Sequence, residues 1–381
     1  MIDLSNNFIT SSGLVEIGDL WSKSIIDIAV EAGKKSLDAS NHHPDMIIVA
    51  NMFSSLSSNQ ENLGYIITDA LGLTGLPTFK IESGECSGAM ACHVANNLLN
   101  KGNFDSIMVI GVEKMYDLLP PKIIEALSLG EIYEFSQYFG ITPAAINGLL
   151  ARLYIDQYEI SRTELSSLPV LAHQNSKNSS HSQFKNFISS EIIERSPMIS
   201  DPLHLLDVSA PADGAASVIL SNVKTDSSVE ILSSVNKTSE IFLSRKNMFN
   251  FEATRNATAD ALKQANINLE NIDLFEIHDN TSVNAALILE NIGLSSPGNA
   301  ARDVMSGKFS IESKQSISTF GGLKARGNPI GATGVYQIAE SYNQLLGNSN
   351  QSQKSGANIA LTHNMSGIDS NVIVHILGGN L

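Results

Sequence analysis

The sequence predicts an α/β protein made of two similar halves, and three observations point there. Apolar residues at helical spacing alternate with short apolar runs of strand length. The order helix, turn, strand returns in the second half of the chain. In each half a glycine-containing turn also opens a helix, at Gly88-Ala89 and again at Gly331-Ala332. Helices alternating with strands through short Gly/Asp turns favour a sheet covered by helices, and duplication of that unit favours two such layers packed together.

In chain order, Phe8 to Gly13 is the first strand. Ile25, Ile28, Ala29 and Ala32 then mark a helix, His43-Pro44-Asp45 breaks it, and Met46 to Ala50 reads as a buried strand. The turn Ser83 to Gly88 opens a helix whose buried face is Ala91, Val94, Ala95 and Leu98, and Ile107 to Ile110 follows as a strand. Residues 118–183 form an excursion that covers a pocket, before the strand Val218 to Leu220. The polar stretch Ser221 to Ser228 is the seam, dividing a half at 1–222 from a half at 223–381. Ala257, Ala261, Leu262 and Ala265 repeat the first helix, Asn268 to Asn271 the connection, and Asp273 to Ile277 the strand, which ends at His278. The glycine turn Gly327 to Gly334 and the strand Ile359 to Leu361 complete the repeat.

The chain has 381 residues, 43% of them hydrophobic, enough for two cores of ordinary size. A net charge of −15 without a Lys/Arg cluster excludes a nucleic-acid surface, and an anionic ligand such as coenzyme A needs a local basic patch. Two cysteines are too few for a disulfide framework and fit a reducing compartment. Met1 to Asn7 lacks the basic and apolar regions of a leader, and no run approaches the roughly 18 apolar residues of a membrane span. A cytoplasmic protein without membrane contact is expected. None of the nine histidines pairs with cysteines at zinc-ligand spacing, so no metal is expected. His42 and His43 read as solvated turn residues, and His93 as a packing residue.

Ligands of such sheets sit beyond the carboxyl ends of strands, where loops and helix N-termini converge. Four loops qualify: Ser83 to Gly88, His278 to Ser282, Gly327 to Gly334 and Thr362 to Gly367. The run from Gly321 to Gly334 resembles the C-terminal active-site turn of the thiolase family, G-G-x-x-x-x-G-H-P-x-G-A-T-G, with Asn328 where that family carries its catalytic histidine. Ile110 to Met115 resembles the family's G-x-E-x-M strand end, Ser196 to Leu203 its S-P-M-I-x-D-P-L segment, Ala212 to Ala216 its S-D-G-A-A segment, and His278-Asp279 its H-D-x-F loop. The tail from Thr362 to Leu377 resembles its last loop and strand. The match is nearest to archaeal and sterol-carrier-type (SCP-x-like) thiolases. It implies a five-layer αβαβα fold of two pseudo-repeated α/β/α halves. The first strand is shorter than the family's, which is expected to alter the edge of the first sheet.

The resemblance also implies chemistry. An active thiolase forms an acyl-enzyme on a cysteine at a helix N-terminus, with an acid/base group and oxyanion holes around it. Laid without gaps on the family's V-E-x-A-C-x-S-G-G-A-A, Ile81 to Ala91 puts Glu85 under the cysteine. The repeat agrees, because Asn328 lies three residues before Gly331 as Glu85 does before Gly88. A one-residue gap restores Cys86 instead, so both remain catalytic candidates; in the ungapped register Cys86 is a small packed residue. Glu85 can serve as a base, fill the vacancy or repel an acyl group, its anion favoured by the helix N-terminus.

His278 falls where the family binds the thioester oxygen, and its pairing with Asn328 resembles ketoacyl synthase III, where such side chains hold an enolate. His363 is the candidate base of the last loop, where many thiolases carry Cys-x-Gly. His173 matches the histidine of K-N-H, and with Gly331 and Gly367 it is expected at the substrate. Thr281 replaces the aromatic residue of H-D-x-F, and Asn178 to Ser182 lacks the family's N-P-Y.

The function implied is carbon–carbon bond formation or cleavage on an acyl-CoA thioester, the acyltransferase class, by other means than the Cys–His pair. A non-covalent variant, decarboxylative or retro-aldol, uses Glu85 as base. The alternative is a catalytically silent subunit that scaffolds an active paralogue. Coenzyme A enters as substrate or ligand and no cofactor is held covalently. Partners implied are a second copy or a paralogue, paired at sheet edges, and a zinc-ribbon/OB-fold (DUF35-like) protein.

Overall fold

The computed structural model describes residues 6–40, 43–245 and 247–379. His42 and residues 1–5 lie outside the described residues, while His43 is exposed. The first half holds β1 (Phe8–Leu14), α1 (Ile25–Asp38), β2 (Met46–Ala50), α2 (Ser54–Ser57), α3 (Leu63–Ala70), β3 (Thr78–Ile81), α4 (Ser87–Leu99) and β4 (Ser106–Glu113). An insertion follows, with α5 (Pro120–Ser128), α6 (Pro143–Tyr158), α7 (Arg162–Ser176), α8 (Ser190–Arg195), β5 (Met198–Ser200) and β6 (Leu203–His204), before β7 (Gly214–Ser221). The second half holds β8 (Val229–Thr238), α9 (Glu252–Ala265), β9 (Leu274–Glu276), α10 (Ser282–Ile292), α11 (Ala300–Met305), β10 (Ser316–Ile317), α12 (Thr333–Leu345), β11 (Ile359–Ser366) and β12 (Asn371–Gly378).

Two five-strand arrays with one topology make the frame. The first runs β3-β2-β4-β7-β1 and the second β10-β9-β11-β12-β8. In each, three parallel strands are followed by two antiparallel ones. The arrays join where β1 pairs with β8, Phe8 against Glu230 and Ile9 against Val229, which gives one ten-stranded sheet. The shortened first strand, expected to alter the edge of the first sheet, closes that array and is bonded on both sides, to β7 and to β8.

Helices complete five layers. On the outside of the first array sits α1, held at its start by a reciprocal Ser24–Asp27 capping box and turning Ile25, Ile28, Ala29 and Ala32 inward. On the outside of the second array α9 packs on β8 and β12. Between the arrays lie α4 and α12, each touching strands of both halves and each other. Burial on all sides explains why α12 carries Val335, Tyr336, Ile338, Ala339 and Tyr342 with almost no exposed face. The face of α4 is Ala91, Cys92, Ala95 and Leu99, whereas Val94 and Leu98 are only half-buried.

The two central helices meet at their first turns without side chains between them. A β-carbon on Gly88 would stand 2.8 Å from Val335 N and 3.0 Å from Gly331 O, and one on Gly334 would overlap Ala89 N. Glu113, at the end of β4, clamps the same corner. Its carboxylate accepts from Met52 N (2.9 Å), Phe53 N (3.2 Å), Gly331 N (3.1 Å) and Asn51 Nδ2 (2.8 Å).

The insertion between β4 and β7 covers residues 114–213, longer at both ends than the 118–183 read from sequence, because the β5–β6 hairpin also belongs to it. Its α6 and α7 pack against the second half through Leu150, Tyr154, Leu165 and Leu168. No helix among the described residues is long and apolar enough to cross a membrane. Gly334→Ala is expected to lower the unfolding free energy by about 1–3 kcal/mol, from overpacking at the helix contact. Urea denaturation monitored by circular dichroism checks this, and an unchanged midpoint would show that the helices can separate freely.

Candidate active site

The four loops predicted to converge meet at the starts of α4 and α12, the end of β9 and the last residues of β11. Ser83 to Cys86 approaches β11, where Ser366 Oγ accepts from Cys86 N and donates to Ser83 O, both at 2.9 Å. Glu85, just before α4, extends a half-exposed carboxylate whose Oε2 lies 2.7 Å from Nε2 of fully buried His278. His278 Nδ1 is 3.0 Å from Asn364 Nδ2 on β11, and that nitrogen is 3.2 Å from Gln337 Oε1 on α12. A polar chain therefore runs from the loop before α4 through the buried interior to α12.

This geometry corrects the expected use of His278. Both ring nitrogens are engaged inside the protein, so His278 is a partner of Glu85 rather than a free donor for an enolate. Asn328 is placed differently. Its main chain is zipped to Ala210 and Ala212, its Oδ1 accepts from Thr333 Oγ1 at 2.6 Å, and its Nδ2 has only a 3.5 Å contact to Ser209 Oγ. Its amide hydrogens are thus the least committed donors of the group.

Cys86 lies at the N-cap of α4 with no exposed surface, its thiol donating to Asn371 O at 3.3 Å. Burial, with the nearby Glu85 charge added, pushes this thiol far above its ordinary range. In this arrangement the Cys86 thiol is packed away from solvent and its thiolate is disfavoured.

Three other expected site residues lie away from the Glu85–His278 pair. His363 alternates with Asn364 along β11 and therefore points to the opposite face, where Nε2 meets Thr254 Oγ1 of α9 at 2.9 Å. Burial first, and the His278 ring second, hold it down to about 3, and it packs in the core beside α9. His173 is buried in α7, Nδ1 against Asn186 O at 3.0 Å, and burial with the Lys324 charge lowers it to about 4. Gly331 has its N–H taken by Glu113, and its missing side chain makes room for Asn51 and Met52 rather than for a ligand. Gly367, at φ +61° in the β11–β12 turn, does line a cleft.

That cleft has a volume of about 330 Å³ and opens beside the Ser83–Gly84 turn. Its walls are Ser366, Gly367, Ser370 and Asn371 from the β11–β12 hairpin, Gly130, Glu131 and Ile146 from the insertion, and Ile241, Ile368 and Glu82. Glu131 is raised above the usual carboxylate range by burial and by the charge of Glu85, which puts a second carboxyl group in the neighbourhood of the first. Sequence reasoning missed Glu131, Ser366, Asn364 and Gln337. Strand alternation alone signals that only one of His363 and Asn364 can face His278; the other three are brought in by contacts distant in sequence.

Comparison with known proteins places this geometry. The thiolase N-terminal domain matches residues 8–224, and a thiolase C-terminal domain-like unit matches residues 234–379. The chain is 34% identical to an acetyl-CoA acetyltransferase of Methanothermobacter thermautotrophicus over 95% of its own length and 96% of the relative's. It is 28% identical to human sterol carrier protein 2, over 93% of this chain and 68% of that one. Among solved structures, the Ltp2-ChsH2(DUF35) aldolase superposes with a TM-score of 0.84 at 17% identity, covering 98% of both chains.

Two outcomes follow from burial. Iodoacetamide at pH 8 is expected to leave both Cys86 and Cys92 unmodified in the folded protein and to label both in urea, since both thiols are buried and raised; rapid native labelling of Cys86 would contradict the geometry. His363, lower in the folded than in the unfolded chain, contributes stability that is full above about pH 6.5 and is lost as pH falls towards 3. The stability gap between the wild type and His363→Asn should therefore narrow by about 1.4 kcal/mol per pH unit below 6.5, as read from urea midpoints at pH 7, 6 and 5.

Proposed function

This chain belongs to the thiolase family, and we propose that it acts on acyl-CoA thioesters through the Glu85 carboxylate, without an acyl-cysteine intermediate. The observation that carries this reading is the 2.7 Å pair between Glu85 and buried His278, built where the family keeps its nucleophile, beside a cysteine sealed from solvent. Relatives named acetyl-CoA acetyltransferase support the substrate class.

The chemistry that such a set can perform is aldol-type. A 3-hydroxyacyl-CoA whose C3 hydroxyl reaches Glu85 gives its proton to that carboxylate, and the bond between C2 and C3 breaks. A carbonyl compound leaves, and the electron pair of that bond becomes the thioester enolate. Asn328 Nδ2 donates to the enolate oxygen, and the proton on Glu85 passes to C2, giving the shortened acyl-CoA. Run backwards, the same steps form the bond. His278 holds one carboxylate oxygen in place and does not exchange groups with substrate.

A second reading, a silent subunit beside an active paralogue, is favoured by one feature. The described residues that line the cleft include Glu82 and Glu131 but neither Lys nor Arg, so the phosphates of coenzyme A find no counter-charge there. A zinc-ribbon/OB-fold partner of the DUF35 kind is proposed to supply that charge, and the free edge of β3 to pair with a second copy or a paralogue in a cytoplasmic assembly.

A panel of 3-hydroxyacyl-CoA thioesters, assayed for release of aldehyde or ketone, tests the first reading. Glu85→Gln is expected to lower kcat by about 10²- to 10⁴-fold, and Cys86→Ala to leave it unchanged. Turnover that survives Glu85→Gln and is lost in Cys86→Ala would restore the acyl-enzyme. No turnover by the wild type, alone or with its co-purifying partners, would favour the silent subunit.

A further inference from the structure

Gln337 is buried at the centre of α12, with its Nε2 3.1 Å from His363 O and 3.3 Å from Glu276 O. Main-chain carbonyls only accept, so this end of the amide is the NH₂ and the oxygen faces the other way. It faces Asn364, whose Nδ2 stands 3.2 Å from Gln337 Oε1. An oxygen in that position would repel the Gln337 oxygen, so Asn364 must also present its NH₂. The same nitrogen lies 3.0 Å from His278 Nδ1 and has a second hydrogen for it. Nδ1 of the neutral ring is therefore an acceptor. The ring proton is left on Nε2, 2.7 Å from Glu85 Oε2.

We infer that Asn364 and Gln337 are positioning residues: anchored on two main-chain carbonyls, they fix the tautomer of His278, and through it the orientation of the Glu85 carboxylate. The direction of every hydrogen bond in the chain follows from the Glu276 and His363 carbonyls at its far end. Oε2 of Glu85 is tied to the imidazole N–H, and Oε1 is the oxygen left to take a substrate proton. The catalytic consequence rests on the Glu85 reading above, whereas the tautomer rests on the hydrogen bonds alone.

The test uses the full chain labelled with ¹⁵N-histidine, without ligand, in long-range proton–nitrogen correlation spectra. The His278 signals are assigned by their loss in His278→Asn. The wild type is expected to show the neutral ring protonated on Nε2. Asn364→Asp replaces the donor by an acceptor and is expected to add a proton at Nδ1 while Glu85 keeps the one on Nε2, giving the doubly protonated ring. If that variant does not fold, Gln337→Met removes the anchor while keeping the volume, lets Asn364 turn its oxygen to Nδ1, and a larger share of doubly protonated ring is expected. A wild-type ring protonated on Nδ1, or an Nε2–H pattern unmoved in both folded variants, would overturn the inference. The expected tautomer in a protein that turns over no thioester would support it and remove only the catalytic reading of Glu85.

Discussion

Everything at this site hangs on the contact between the first turns of α4 and α12. Two buried helices that approach backbone to backbone, at Gly88 and Gly334, bring the loops before them into one corner. One loop presents Glu85 and the other Asn328. Because the two halves share a strand order and each contributes one central helix, the contact places equivalent residues of a duplicated unit together. Glu113 reinforces it by joining the end of β4, the turn after β2 and the glycine turn before α12 through a single buried carboxylate. A buried acceptor with four donors is costly to disturb, so the corner is a rigid mount.

On that mount, the position of one residue in a turn decides which side chain meets the His278 ring. Glu85 lies outside the first turn of α4, where its carboxylate reaches the His278 imidazole, next to the Ser83–Gly84 turn that walls the cleft. Cys86, one residue later, is folded under the helix and donates to the β12 main chain. The loop cannot simply shift by one residue to exchange them, because Ser366 bonds both Cys86 N and Ser83 O and so fixes its register. Burial then acts with the neighbouring negative charge, and each makes a thiolate at Cys86 less favourable. The polar chain through His278, Asn364 and Gln337 has the opposite character. It is fully enclosed, and the groups that link its three side chains pair donor to acceptor in order, with the Asn364 oxygen left unpaired.

Much of the fold could be read from the residues. Strand β2 has the bounds that its apolar run predicted, and the helices marked by Ile25 and Ala257 occupy equivalent places outside their arrays. The ungapped register that put Glu85 before the helix rested on a repeat, and a repeat is a local pattern. What could not be read is set by direction and distance. His363 and Asn364 are neighbours in sequence, yet the strand sends one to the outer layer and the other to the site. His173 carries a family-like position without its K-N context, and α7 buries it beside Lys324 instead of at the cleft. The pairing of strand β1 could not be read either, because its two partners, β7 and β8, are far along the chain.

The central claim is that a carboxylate has taken the nucleophile's place and that no acyl group is carried on the protein. Intact-protein mass spectrometry after incubation with radiolabelled acetyl-CoA, followed by peptide mapping, addresses it most directly. The account predicts unmodified protein, with no label on the peptide that contains Glu85 and Cys86. An acetyl adduct on Cys86 that disappears in Cys86→Ala would contradict it, because the thiol would then have to leave its buried site and act as the family's nucleophile.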